Sequence, residues 1–163
     1  MESDRIFQHL VDSIKVLAKP DAHRDGLGPY DRRLLAVANY ELGHLSAARA
    51  QLGEVELTLA RRSPIDSSLD VGAIGLFGSI ATTQGDSIAT RRALDVLGAL
   101  PTQSGMAEFQ QARIMAAVGN RDVMMRLLVA AISHGYQGGD LIPIEFVRYE
   151  DYPAFKALMF PSN

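Results

Sequence analysis

Three glycines fall in phase along this chain. Gly43, Gly85 and Gly119 lie in the segments ANYELGHLSAARAQL, IATTQGDSIATRRAL and IMAAVGNRDVMMRLL, each between two apolar runs of helical spacing. Gly85 and Gly119 are 34 residues apart; Gly43 and Gly85 are 42 apart, one such period plus eight residues that fall in the SPIDSS stretch. Seven positions before each glycine stands a small residue (Ala36, Gly78, Ala112), and nine after it a leucine (Leu52, Leu94, Leu128). Glycine inside a helix costs about 1 kcal/mol relative to alanine. Three at matched spacing therefore read as chain reversals, where glycine reaches backbone angles denied to other residues. The small residue then marks where two antiparallel helices press together, and the leucine fills the seam.

This pattern predicts three helical hairpins: 31–42 with 46–61, 70–84 with 87–99, and 105–118 with 121–134. Asp86 and Asn120 directly follow their glycines and are placed to cap the second helix, with Ser46 as the counterpart in the first hairpin. Ahead of them, Ile6, Phe7, Leu10, Val11, Ile14 and Leu17 repeat at helical spacing and stop before Pro20, and KPDAHRDGLGP reads as a loop. No apolar alternation of strand type is sustained, so the expected class is all-α. One domain is the default for 163 residues, of which 47% are hydrophobic and 21% charged. Its parts are an N-terminal helix and loop (1–29), the hairpins (30–134) and a tail (135–163).

Composition removes several function classes. With no cysteine, disulfides, thiolate metal sites and cysteine nucleophiles are excluded, and a reducing cytoplasm is the expected location. The net charge of −3 comes without blocks of like charge, so no footprint for nucleic acid or an anionic membrane is expected. MESDRIFQHL lacks the basic start and apolar core of a signal peptide. The longest apolar run, 127–132, falls far short of the ~20 residues a membrane-spanning helix needs.

Catalytic signatures are equally sparse. His9, His23, His44 and His134 share no metal-ligand spacing, and neither GxSxG nor SxxK occurs. GLFGS at 75–79 lacks a following GK[ST] and falls within a predicted helix, where its glycines serve close packing. GLGP at 26–29 has no preceding strand. His134 is placed in the last helical turn, where the helix dipole favours a cation. No catalytic residue, metal or cofactor is assigned.

A 34-residue helix-turn-helix period with these positions resembles the tetratricopeptide repeat family. The marks are Ala36, Gly43 and Ala48 in the first repeat, Gly78 and Gly85 in the second, and Ala112 and Gly119 in the third. Departures are Thr90 and Met124 at the second-helix alanine, Arg32 and Glu108 at the tryptophan-like opening position, and Asn39, Ala81 and Met115 at the tyrosine position. The tail, with Asp151, Pro153, Phe155 and Leu158, resembles the segment closing many bacterial modules of this family. It is expected to cover the last hairpin through Leu141, Ile142, Ile144, Phe146, Tyr149, Tyr152 and Phe155.

The resemblance implies a right-handed α-α solenoid whose first helices line a concave groove that binds a peptide or partner protein without catalysis. Carried over position by position, that groove takes Tyr30, Arg33, Val37, Tyr40 and Glu41 from the first repeat, the small residues Gly72, Gly75, Ser79, Thr82 and Thr83 from the second, and Met106, Phe109, Arg113, Ala116 and Ala117 from the third. Arginine pairs with carboxylates in a bidentate fork, and aromatic side chains anchor partners at low entropy cost. The opposing reading is that several of these residues pack against the N-terminal helix or the tail. Val37 stands where the family's carboxylate clamp has asparagine, which argues against a chaperone C-terminus as ligand. The alternatives are a self-assembling adaptor, in which chains join as a homo-oligomer, and a small-molecule-sensing regulatory domain.

Overall fold

The computed structural model describes residues 28–61, 71–100, 104–137 and 143–160. The expected N-terminal helix, most of the two loops flanking the first hairpin, and Leu141 and Ile142 lie outside these residues. Among the described residues every element is helical: α1 Pro29–Glu41, α2 Leu45–Gln51, α3 Gly53–Arg61, α4 Val71–Thr83, α5 Ser87–Ala99, α6 Met106–Val118, α7 Arg121–Ser133, α8 Ile144–Val147 and α9 Pro153–Met159. None is long and apolar enough to cross a membrane. The chain divides into two compact units, Met1–Glu54 and Val55–Asn163.

The turns follow one design. Gly43, Gly85 and Gly119 have φ of 74°, 77° and 88°, the left-handed region that glycine enters without a Cβ penalty. In each turn the residue after the glycine donates its N–H to the carbonyl five positions back: His44 to Asn39 (2.8 Å), Asp86 to Ala81 (2.9 Å), Asn120 to Met115 (2.9 Å). The glycine itself donates three positions back, which completes a Schellman motif and satisfies carbonyls the ending helix leaves open. Gly135, at φ 97°, closes α7 the same way.

Asp86 and Asn120 then cap the outgoing helix by accepting from Ala89 N (3.0 Å) and Val123 N (3.2 Å). In the first hairpin the capping position is His44, the residue in the same register, and it makes no side-chain cap. Ser46 lies inside α2, two residues past the capping position, and so does not serve as predicted. The predicted helix 46–61 is also two helices. Leu52 donates to Arg49 O in a tightened last turn, and α3 begins at Gly53, where glycine makes a straight continuation costly.

In the first unit α1 and α2 pack against each other with Ala36 and Ala48 fully buried and Leu52 nearly so. In the second unit α4 packs on α5 and on α6, and α6 on α7, so the first helices of successive hairpins lie side by side. Residues 73–81 of α4 are all buried. Gly75 and Gly78 make that approach feasible: a Cβ at 75 would come within 2.6 Å of Gln110 Cβ, and one at 78 within 2.9 Å of Ile114 Cγ1 and 3.0 Å of Ala93 Cβ. GLFGS is thus a packing surface inside a helix. At the open end of the last hairpin, a Cβ on Gly105 would run into the backbone of Ala131, so α6 begins pressed against the end of α7.

The tail completes this unit. Phe146 and Phe155 are fully buried in one cluster with Phe109, Ala112, Ala116, Met124, Leu128 and Ala131, and Tyr149 and Tyr152 pack at its margin. Pro153 opens α9, as suits a residue with no N–H to leave unsatisfied. Ile144, expected among the covering side chains, is instead 37% exposed, because α8 turns Glu145 and Phe146 inward.

Candidate functional site: the face of α6 and the tail laid on it

Positions 109, 113 and 116 recur on one face of α6, since residues three and four apart on a helix are neighbours. This face receives the tail through α8. Phe109 stacks on Tyr136 with ring centroids 4.1 Å apart and meets Phe146 at 5.7 Å; Phe146 in turn meets Phe155 at 5.6 Å. Offset or tilted aromatic pairs at such distances add to what burial alone provides.

One turn further along, Arg113 Nη2 donates to Glu145 Oε1 at 3.0 Å, with side-chain exposures of 12% and 1%. Arg113 Nη1 donates to Gln110 Oε1 at 3.2 Å. The remaining atoms of the pair are buried without a hydrogen-bond partner, Nε on Arg113 and Oε2 on Glu145. Burial pushes the Tyr136 phenol above its ordinary value, against the opposing pull of the Arg113 charge. Tyr149 adds a weaker tie, its hydroxyl donating to Ala116 O at 3.4 Å.

The open end of the hairpin carries a second polar tie. His134, at the C-cap of α7, places Nδ1 2.9 Å from Oε1 of the buried Glu108 in the first turn of α6. A histidine at a helix C-terminus is electrostatically well placed, and here it also joins the two helix ends. The α6–α7 turn forms a surface depression of about 610 Å³ lined by Val118, Gly119, Asn120, Arg121 and Asp122. Its polar groups are already engaged: Asn120 caps α7, Arg121 bonds Asp122 at 3.4 Å, and its guanidinium lies 4.8 Å from the Tyr152 ring centroid.

Gly75 and Ser79, expected in the groove from the second repeat, are instead buried within α4, where Gly75 lies against Gln110 of α6. The expected groove residues of the first and third repeats fall in two sets. Arg33, Val37 and Tyr40 follow one another at helical spacing on α1 in the first unit, Arg33 and Val37 half-buried and Tyr40 buried. Tyr30 lies in the first turn of α1, its side chain outside the described residues. Phe109 and Arg113 are adjacent on α6 in the second unit, where an aromatic ring and a carboxylate of the tail cover them, the arrangement of the opposing reading in which these residues pack against the tail. Sequence reasoning missed Glu145 and Tyr136, the partners of that pair. Glu145 does leave a trace, as the lone acid within LIPIEFV. No family model, curated protein or solved structure matches this chain.

Proposed function

We propose that this chain is a non-catalytic protein-interaction module of tetratricopeptide-like helical hairpins, assembled as a solenoid, that takes a segment of a partner protein against the first helices of its hairpins. The observation that carries this reading is the tail itself. The face of α6 engages a polypeptide segment through an arginine–carboxylate contact and a tilted aromatic pair, at two of the positions the repeat pattern assigns to a groove. The shared turn geometry of the three hairpins and the side-by-side first helices of the second unit support the same reading.

Site-specific photocrosslinking tests it. A benzoyl-phenylalanine at Val37 or Met106, both on first helices, should crosslink a common partner in the native cell. The same group at Ile88, 66% exposed on the second helix α5, should not. Crosslinks absent from both first-helix positions, or equal from Ile88, would contradict the proposal.

A further inference from the structure

Phe109 and Arg113 sit one turn apart on α6, and two consecutive residues of the tail, Phe146 and Glu145, satisfy both. We infer that this face of α6 is a recognition site for a partner segment offering a carboxylate beside an aromatic ring, and that residues 143–160 occupy it as an internal ligand. The inference rests on the partner-binding reading above and names the chemistry and the regulation of that site.

Three observations carry it. The element that delivers Glu145 and Phe146 is α8, only four residues long. So short a helix has no stability of its own, and its place is set by what it meets. The ion pair, moreover, is half made. Guanidinium and carboxylate bind best through two parallel N–H···O bonds, whereas here one bond forms while Arg113 Nε and Glu145 Oε2 stay buried and unpartnered. A single contact recovers little of what desolvating two charges costs. A carboxylate presented edge-on would make both bonds, so an incoming segment has an advantage at the contact the tail leaves half made. Finally, Glu145 is nearly sequestered, at 1% exposure, so the face is closed to a competitor unless the tail leaves. A tethered segment acts at an effective concentration of about millimolar, and an external ligand binds with its affinity reduced by the fraction of open chains. The tail thereby sets a threshold that a partner must exceed.

The test uses the full chain and a fluorescein-labelled peptide of sequence PIEFVRYEDYPAFKALMF, followed by anisotropy. The wild-type chain should bind it weakly. E145Q, which keeps volume and removes the charge that holds the tail, should bind at least tenfold tighter, and E145Q/F146A tighter still. Adding R113M to E145Q should cancel the gain, and a peptide carrying Gln in place of Glu145 alone should bind the E145Q chain at least tenfold more weakly. Circular dichroism checks that each variant keeps wild-type helicity; should E145Q/F146A lose it, E145Q alone carries the comparison.

An E145Q chain of intact helicity that binds no tighter than wild type overturns the inference, as does equal binding of the Glu and Gln peptides. A mass that doubles with concentration and is unaffected by the peptide also overturns it, since the face would then be a self-contact. The photocrosslinking outcome is independent: a partner trapped from Val37 with no peptide binding at α6 leaves the general reading standing and removes this one.

Discussion

Arg113 and Glu145, 32 residues apart in sequence, meet inside the second unit through one 3.0 Å N–H···O contact. The contact ties the tail to the first helix of the last hairpin and fixes which of its residues face inward. A buried ion pair of this kind contributes little net stability, because attraction and desolvation nearly offset each other.

The glycines divide into those the backbone requires and those it does not. G85A and G119A place a Cβ in the left-handed region and should each lower stability by about 1 kcal/mol. G105A adds a collision with the Ala131 backbone and should cost distinctly more. G98A, in α5 with open space around it, should instead stabilise by about 0.5–1 kcal/mol. Urea unfolding of the four variants checks the order.

The caps yield a gain as well as losses. D86A and N120A remove side chains that accept from Ala89 N and Val123 N, and each should cost about 1 kcal/mol. His44 holds the equivalent position without capping, so H44D should stabilise α2 by about 0.5–1 kcal/mol. A loss in thermal melting for H44D would show that the first turn does not share the register of the others.

Close helix packing predicts coupling between distant residues. G78A crowds Ile114 and Ala93 and should cost about 1–3 kcal/mol, as overpacking does. I114V, which gives up a methyl at that contact, should recover part of the loss in the double variant. Simple additivity of the two stability changes would contradict the contact.

These outcomes bear on what was legible in the chain. The hairpins were legible because turn glycines and buried small residues obey backbone sterics at fixed spacing, and Gly43, Gly85, Gly119, Ala36, Gly78 and Ala112 all stand where that spacing places them. The break at Leu52–Gly53 was missed because a helical apolar pattern continues through it and only the glycine interrupts. The capping tail was legible as an aromatic cluster, but not its register: Ile144 and Phe146 are both apolar, and the contacts that distinguish inward from outward, Phe146 with Phe109 and Glu145 with Arg113, are tertiary. Which charges pair over long separations depends on tertiary placement, which local periodicity does not encode.

Tyr136 gives a pH dependence of definite sign. Burial raises its pKa above the ordinary phenol value of about 10, so the unfolded chain releases this proton first as the pH rises. Above pH 10 the folded state holds more protons than the unfolded one, and stability falls with increasing pH. Y136F should flatten the decline in that alkaline range, measured as urea midpoints against pH. An unchanged slope would mean that the phenol is not the group responsible.

The most direct test of the tail's docking on α6 is a double-mutant cycle on its ion pair, read by urea unfolding at neutral pH. R113M leaves the Glu145 carboxylate buried without its cation, and E145M leaves the guanidinium, so each should lose about 3 kcal/mol. R113M/E145M removes both charges at near-constant volume and should return to within about 1 kcal/mol of wild type. A double variant as unstable as the sum of the single losses would contradict the contact, and with it the placement of the tail on this face.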